Sequence, residues 1–170
     1  MRFRYPFYIL VSGLGLAACL PSSSSPKPGQ PAGSIEPSLV IDDFRYANNF
    51  TARNNWVSKD KSPQVNRTAN GLRLDIPFHQ DRDRAYWQRD TSLNLEEFTS
   101  FRLDLTAENP SAMRSLAVYF KSGPGWYIWN QPIPSSGQQS LQMPKTAFQT
   151  EGCPRGWHQI DAIRISPWKG

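Results

Sequence analysis

The sequence predicts an all-β domain, an antiparallel β-sandwich, because apolar and polar residues alternate in it and turn residues are frequent. Four short segments put apolar residues at every second position, as in strands with one buried and one solvated face. The 15 Pro and 11 Gly residues favour turns over long helices, and no segment carries a sustained helical stripe. The apolar positions are Leu72, Leu74 and Ile76; Phe101, Leu103 and Leu105; Leu116, Val118 and Phe120; and Ile163 and Ile165.

Residues 1–18 predict a signal peptide. Arg2 and Arg4 precede a mainly apolar stretch that is too short to span a bilayer comfortably. The ending Leu16-Ala17-Ala18-Cys19 resembles the lipobox of bacterial lipoproteins, in which the cysteine thiol receives diacylglycerol and the chain is cut before it. This resemblance implies export, lipidation of Cys19 and anchoring to a membrane. The alternative is an ordinary signal peptide cut near Ala18.

Residues 19–37 predict a flexible tether. They are rich in Ser, Pro and Gly, including four consecutive serines from Ser22 to Ser25, and cannot bury apolar surface. Such a spacer would let a folded domain stand away from the membrane. Residue 20 is Leu20 rather than Asp, which resembles Gram-negative lipoproteins sorted to the outer membrane. The predicted location is therefore the outer membrane or the cell surface.

Residues 38–170 predict the sandwich itself. Turn signals separate the alternating segments, among them Asn70-Gly71 and Asn109-Pro110, and residues 115–132 predict a hairpin that turns between Ser122 and Gly125. Within this hairpin, alternation places Trp126 and Ile128 on one face and Tyr127 and Trp129 on the other.

Several motifs in this region carry a family resemblance. Together they resemble the galactose-binding-like jelly-roll modules at the N-termini of bacterial proteins linked to glycoside hydrolases, and carbohydrate-binding modules share the general plan. The resemblance covers about residues 39–170 and implies a non-catalytic module that binds a polysaccharide or glycan. The motifs are Ile41-Asp42-Asp43-Phe44, Arg84-Ala85-Tyr86-Trp87, Tyr119 to Tyr127, Glu151 to Trp157, and Ile160 to Gly170.

The sequence departs from this family pattern at one point, and the resemblance also implies one candidate metal site. Such modules continue with a further strand after the Arg-Ile-Ser-x-Trp segment, whereas this sequence ends at Gly170. The sandwich then either lacks its last strand or belongs to a truncated copy of a longer protein. Asp42 and Asp43 are candidate ligands of a structural calcium ion. The preferred alternative is that they cap the strand or face solvent, because the partner ligands usually come from the absent strand.

The aromatic residues are the candidate sugar-binding groups, since aromatic faces stack on the C–H surfaces of pyranose rings. Tyr127 and Trp129, with Asn130 and Gln131 beyond them, form one candidate platform, and Trp126 with Tyr119 forms the competing one. Trp157 and Trp168 either line a cleft among the loops or close the end of the sandwich. Trp87 is predicted to fill the core. Core filling is the competing interpretation for every one of these tryptophans.

No motif indicates catalysis or a nucleic-acid partner. The chain lacks a nucleophile elbow, a zinc-protease motif and a phosphate-binding glycine loop. Its formal charge of +5 comes from scattered residues rather than from a basic run. The alternatives to a glycan-binding lipoprotein are an envelope lipoprotein that binds another protein and the truncated N-terminal module of a glycoside hydrolase.

Overall fold

The alternating segments of the sequence are strands of two antiparallel sheets. The computed structural model describes residues 38–59, 62–76, 78, 83–133 and 135–170, together with the backbone of residues 8–17. Twelve strands, one α-helix and two short 3₁₀ turns (Pro110–Ala112 and Lys145–Ala147) lie in these residues. In chain order the other elements are β1 (Tyr8–Ala17), β2 (Ser38–Asp42), α1 (Asn49–Asn55), β3 (Val57–Lys59), β4 (Asn66–Thr68), β5 (Gly71–Asp75), β6 (Tyr86–Leu93), β7 (Ser100–Glu108), β8 (Met113–Ser122), β9 (Gly125–Gln131), β10 (Gly137–Pro144), β11 (Gln149–Glu151) and β12 (Ile160–Lys169).

The strands divide into two six-stranded sheets. The first sheet has the order β10-β7-β1-β5-β4, with β2 also paired to β1, and the second has the order β11-β9-β8-β12-β6-β3. Every pairing between these strands is antiparallel. The predicted all-β sandwich is confirmed. The predicted hairpin is also confirmed, since β8 and β9 are paired along their length and the last pair before the turn is Ser122–Gly125.

The core lies between the sheets and is filled from both. The first sheet contributes Phe101 and Leu103, and the second contributes Val118 and Phe120, all of them fully buried. The Phe101 and Phe120 rings meet across the core with their centroids 4.5 Å apart. Burying an apolar side chain of this size stabilises a fold by roughly 1.5–3 kcal/mol. Trp87 is also fully buried, so its predicted role in the core is confirmed.

The helix α1 was not predicted, because seven residues are too few to show helical periodicity. Its first turn is capped by Asn48, whose side-chain Oδ1 accepts a hydrogen bond from the Thr51 backbone N–H at 2.9 Å. The helix buries Ala52. Among the described residues, no helix is long and apolar enough to cross a membrane.

Strand β1 lies inside the segment that the sequence predicts to be a signal peptide. It runs antiparallel to β7, from the pair Tyr8–Glu108 to the pair Ala17–Ser100, and also pairs with β5. It therefore fills the position between β5 and β7 in the first sheet. The predicted lipidation site Cys19 and the predicted tether, residues 19–37, lie outside the described residues.

A candidate binding face on the second sheet

The two faces of the second sheet carry different side chains. The inward face holds aliphatic and aromatic residues such as Val118 on β8 and Ile163 on β12, both fully buried. The outward face holds Tyr119, Trp126 and Arg164, which alternate with the inward residues along β8, β9 and β12. Tyr119 is only 7% exposed, so of the predicted pair it is Trp126 that reaches the surface. The sequence prediction that Trp126 lies on the opposite face from Trp129 is confirmed by this alternation.

Rings and guanidinium groups alternate on the outward face in an arrangement that we call the stacked row. It consists of Trp126, Arg164, Tyr86, Arg84 and Trp168. The Arg164 Cζ lies 4.3 Å from the Trp126 ring centroid and 4.5 Å from that of Tyr86. The Arg84 Cζ lies 4.8 Å from the Tyr86 centroid and 5.1 Å from that of Trp168. All four distances are within the range of cation–π attraction.

Strand pairing explains why these residues meet. Arg164 on β12 is opposite Tyr119 on β8 and opposite Gln88 on β6. Arg84 forms an isolated bridge with Trp168 just before β6 begins. The stacked row therefore combines side chains from three strands and one preceding loop residue, which are far apart in sequence but adjacent in the sheet.

Arg164 is the best-fixed member of the row. Its Nη2 donates a hydrogen bond to the Gln88 Oε1 at 2.8 Å, and the Tyr119 ring centroid lies 5.8 Å from its Cζ. Partial burial among these rings lowers the pKa of Arg164 from its ordinary value. An arginine remains protonated at neutral pH even so, so the row holds a partly desolvated positive charge.

Three polar atoms without hydrogen-bond partners lie on this same face. They are the Arg164 Nε, the Trp168 Nε1 and the Ser115 Oγ, and they are the buried side-chain atoms among the described residues for which no partner is found. Ser115 is only 6% exposed and is opposite Trp168 in the pairing of β8 with β12. Buried polar groups are normally paired. These three unpaired atoms are concentrated on the outward face of the second sheet.

The competing platform of Tyr127 and Trp129 faces the core. Trp129 is 5% exposed and belongs to the core cluster, and Tyr127 packs against that cluster. This corrects the prediction of a surface platform, because both rings lie on the inward face of β9. Asn130 and Gln131, the polar candidates beyond them, are exposed, and alternation places Asn130 on the same outward face as Trp126.

Trp157 closes one end of the sandwich and lies apart from Trp168. Its ring stacks on Tyr127 with centroids 4.0 Å apart and also contacts Phe101, Phe120 and Phe148. The Lys145 Nζ lies 5.0 Å from the Trp157 ring centroid. Of the two interpretations of Trp157, these contacts favour the one in which it closes the end of the sandwich.

The loop that carries Trp157 is fixed to the turn between β8 and β9. The Ser122 Oγ donates to the Gly156 carbonyl oxygen at 2.9 Å and accepts from the Arg155 N–H at 3.0 Å. The Asp161 Oδ2 accepts from the Gly123 N–H at 2.6 Å, and this backbone bond lowers the pKa of Asp161. Ser122 thus has the structural role that its place in a turn suggests.

The candidate calcium ligand Asp42 is occupied by protein donors. Its carboxylate accepts from the Phe44 N–H at 2.7 Å, the Tyr46 hydroxyl at 2.5 Å, the Trp56 Nε1 at 2.9 Å and the Arg89 Nη1 at 2.5 Å. Asp43 is exposed, and its Oδ1 accepts from the Arg45 N–H at 3.0 Å. No group of three or more His, Cys, Asp or Glu side chains suited to a metal ion occurs in the part of the chain that the structure describes.

Comparisons with protein-family models, with curated proteins and with solved structures found no match for this chain.

The sequence prediction named Trp126, Tyr119 and Trp168 but missed Arg164, Tyr86, Arg84 and Gln88 as parts of the same surface. The sequence does carry a pattern that could have identified three of them, since Arg84, Tyr86 and Gln88 alternate with Ala85 and Trp87. That alternation identifies an outward face but does not tell which strands lie beside it.

Proposed function

We propose that the chain is a lipid-anchored, non-catalytic module of the bacterial envelope that binds a polysaccharide or glycan through the outward face of its second sheet. The observation that carries this proposal is the stacked row, with the amide of Gln88 bonded to it and the exposed Asn130 on the same face. Aromatic faces contact the C–H surfaces of sugars, whereas guanidinium and amide groups bond their hydroxyls. A sheet face that combines both is suited to an extended sugar chain.

The lipid anchor in this proposal rests on the sequence of residues 1–19. Cutting before Cys19 removes residues 8–17, which form β1 in the first sheet. One molecule cannot both lose this segment and keep it as a strand. The mature lipoprotein would carry unpaired backbone groups along β5 and β7, and such open edges attract another strand.

The anchor is tested by the mass of the protein extracted from the envelope of a Gram-negative host. The proposal predicts a chain that begins at Cys19 and carries acyl groups, and predicts that Cys19→Ala leaves the precursor uncut. An extracted protein that retains residues 1–18 without lipid would contradict the anchor and would favour β1 as a permanent strand.

Glycan binding is tested by affinity electrophoresis of the full chain carrying Cys19→Ser, which prevents lipidation. We expect retardation by at least one plant, algal or bacterial polysaccharide, and a loss of roughly tenfold or more in affinity for Trp126→Ala, because removing a stacking ring removes about 1–3 kcal/mol of contact energy. Phe50→Ala is the matched control, since Phe50 is an aromatic residue on α1 that is 74% exposed and outside the stacked row.

Two results would contradict the proposed binding. One is a folded sample that no polysaccharide retards, and the other is equal weakening by Trp126→Ala and Phe50→Ala. Either would favour the second candidate, an envelope lipoprotein that binds another protein. Exposed apolar side chains support that candidate, notably Phe50 on α1 and Val40 on β2, which is 66% exposed.

A further inference from the structure

Among the described residues, the two arginines of the stacked row have no carboxylate within ion-pair distance, in contrast to three arginines elsewhere in the domain. Arg73, Arg89 and Arg102 each form an ion pair with an aspartate. Among the described residues, neither Arg164 nor Arg84 has a carboxylate oxygen within 4.0 Å. Their contacts are rings, and for Arg164 also the neutral amide of Gln88.

Acidic residues do occur on this face, and Glu151 is close enough to act electrostatically on Arg164, but neither of the two nearest acids on the strands forms an ion pair with the row. Glu151 is opposite Trp126 in the pairing of β11 with β9, and it is exposed. Asp90 lies further along β6, where its Oδ1 accepts from the Gln88 Nε2 at 2.9 Å. Neither carboxylate forms an ion pair with Arg164 or Arg84 in the described part of the chain.

Stacking fixes the planes of the two guanidinium groups, and both arginines are partly exposed. A guanidinium group is planar and donates in a fork that matches a carboxylate or a sulfate. The Arg164 Nε is buried without a hydrogen-bond partner, so the guanidinium group is not fully satisfied within the protein. Neutral hydroxyls could accept these hydrogen bonds but would not supply the missing negative charge.

We propose that the stacked row binds an acidic polysaccharide, with carboxylate or sulfate groups pairing with Arg164 and Arg84 while sugar rings lie against Trp126 and Trp168. This inference rests on the proposed function, because it names the class of glycan for the same face. Tyr86 lies between the two arginines and contacts both. The row therefore presents its two positive charges on either side of one ring, so that two acidic groups of one polysaccharide chain can pair with it.

The test compares acidic polysaccharides with neutral partners of the same backbone. The full chain carrying Cys19→Ser is run in gels that contain polygalacturonate or its methyl ester, and dextran sulfate or dextran. We expect retardation by an acidic member of a pair and at least tenfold weaker retardation by its neutral partner. Arg164→Met and Arg84→Met should each weaken binding by about tenfold or more, because each removes a charge-assisted hydrogen bond.

The chain is basic, with a pI of about 9.4, so nonspecific attraction needs a matched control. Arg45→Met removes the same charge from an exposed residue that is outside the stacked row and should leave binding nearly unchanged. Arg164→Lys keeps the charge but loses the planar fork, and we expect it to bind less tightly than the parent. Circular dichroism shows whether each variant is folded. If Arg164→Met does not fold, the test uses Arg84→Met instead.

The outcomes separate this inference from the proposed function. Equal binding of acidic and neutral partners, lost in Trp126→Ala, would overturn the acidic ligand and keep the glycan-binding face. Equal weakening by Arg45→Met and Arg164→Met would overturn the assignment to the stacked row. Absence of retardation by any polysaccharide, in a folded sample, would overturn both.

Discussion

Arg89 and Arg164 lie on neighbouring strands of one sheet but on opposite faces, and their surroundings differ. Arg89 points inward and pairs with Asp42 at 2.5 Å, and the same carboxylate also accepts from Phe44, Tyr46 and Trp56. Arg164 points outward, stacks between rings and has an unpaired Nε. The inner arginine is neutralised by a carboxylate and also donates to the Ile41 carbonyl oxygen, whereas the outer one forms no ion pair among the described residues.

This difference indicates that the inward and outward faces of the sheet have different roles. A buried ion pair is stable only when its hydrogen bonds are satisfied, and losing one member leaves the other charge buried and unpaired. Asp42 and Arg89 meet this condition and connect β2 to β6. The outer arginine is held in place by stacking while its charge remains available. We therefore expect substitutions near Arg89 to affect folding and substitutions at Arg164 to affect binding.

The largest expected effect is that of Asp42→Ala. The change leaves the Arg89 charge and the Tyr46 and Trp56 donors without their acceptor, so we expect the free energy of unfolding to fall by about 3–5 kcal/mol. Urea denaturation followed by tryptophan fluorescence measures this change. Asp43→Ala is the matched control, since Asp43 is exposed and accepts one local bond. Similar losses of unfolding free energy in the two variants would contradict the stabilising role assigned to the buried Asp42 carboxylate.

A smaller effect is expected for Tyr46→Phe, which removes one of the four donors to Asp42. We expect a loss of about 1–2 kcal/mol in the free energy of unfolding. Burial, followed by the hydrogen bond to Asp42, raises the pKa of Tyr46 above its ordinary value. A raised tyrosine pKa means that the folded state keeps a proton which the unfolded chain loses above about pH 10.

The stability that Tyr46 provides should therefore be complete below about pH 10 and should fall as the pH rises further. Burial raises the pKa of Tyr127 in the same direction, so the diagnostic quantity is the difference between the parent and Tyr46→Phe. We expect this difference to shrink above about pH 10. A difference that stays constant between neutral and alkaline pH would contradict the assigned role of the hydroxyl.

The smallest effect on stability is expected for Arg164→Met. The side chain has no ion pair to lose, and removing a partly desolvated charge offsets the lost ring contacts, so the free energy of unfolding should change by less than about 1 kcal/mol. Arg89→Met should cost several times more, because it leaves Asp42 buried without its cation. Urea denaturation of both variants under the same conditions compares their free energies of unfolding. Equal losses in the two variants would contradict the distinction between the two faces.

The sequence predicted the strands whose pattern is local. The alternation around Leu72, Phe101, Leu116 and Ile163 placed β5, β7, β8 and β12 correctly, because period-two burial is readable within a single segment. The hairpin of β8 and β9 was predicted for the same reason, from its turn residues. The helix α1 was missed because its seven residues depend on the Asn48 cap and on packing rather than on a repeat.

The proposed binding face was predicted only in part, because it depends on which strands are neighbours. Alternation separated Trp126 from Trp129 but could not tell which of them faces the core. The choice is made by the packing of the first sheet against Trp129. Likewise, nothing in the local sequence of Arg164 shows that Tyr86 lies beside it, since the two residues meet only through the pairing of β12 with β6.

The central claim, that the outward face of the second sheet is the binding surface, is tested most directly by the indole N–H signals of the six tryptophans. In a ¹⁵N-labelled full chain carrying Cys19→Ser, each signal is assigned by a Trp→Phe variant, and an acidic polysaccharide is then added. We predict that adding the polysaccharide shifts the signals of Trp126 and Trp168 and leaves those of the buried Trp56, Trp87 and Trp129 unchanged. Shifts confined to Trp157, or no shift at all, would contradict it.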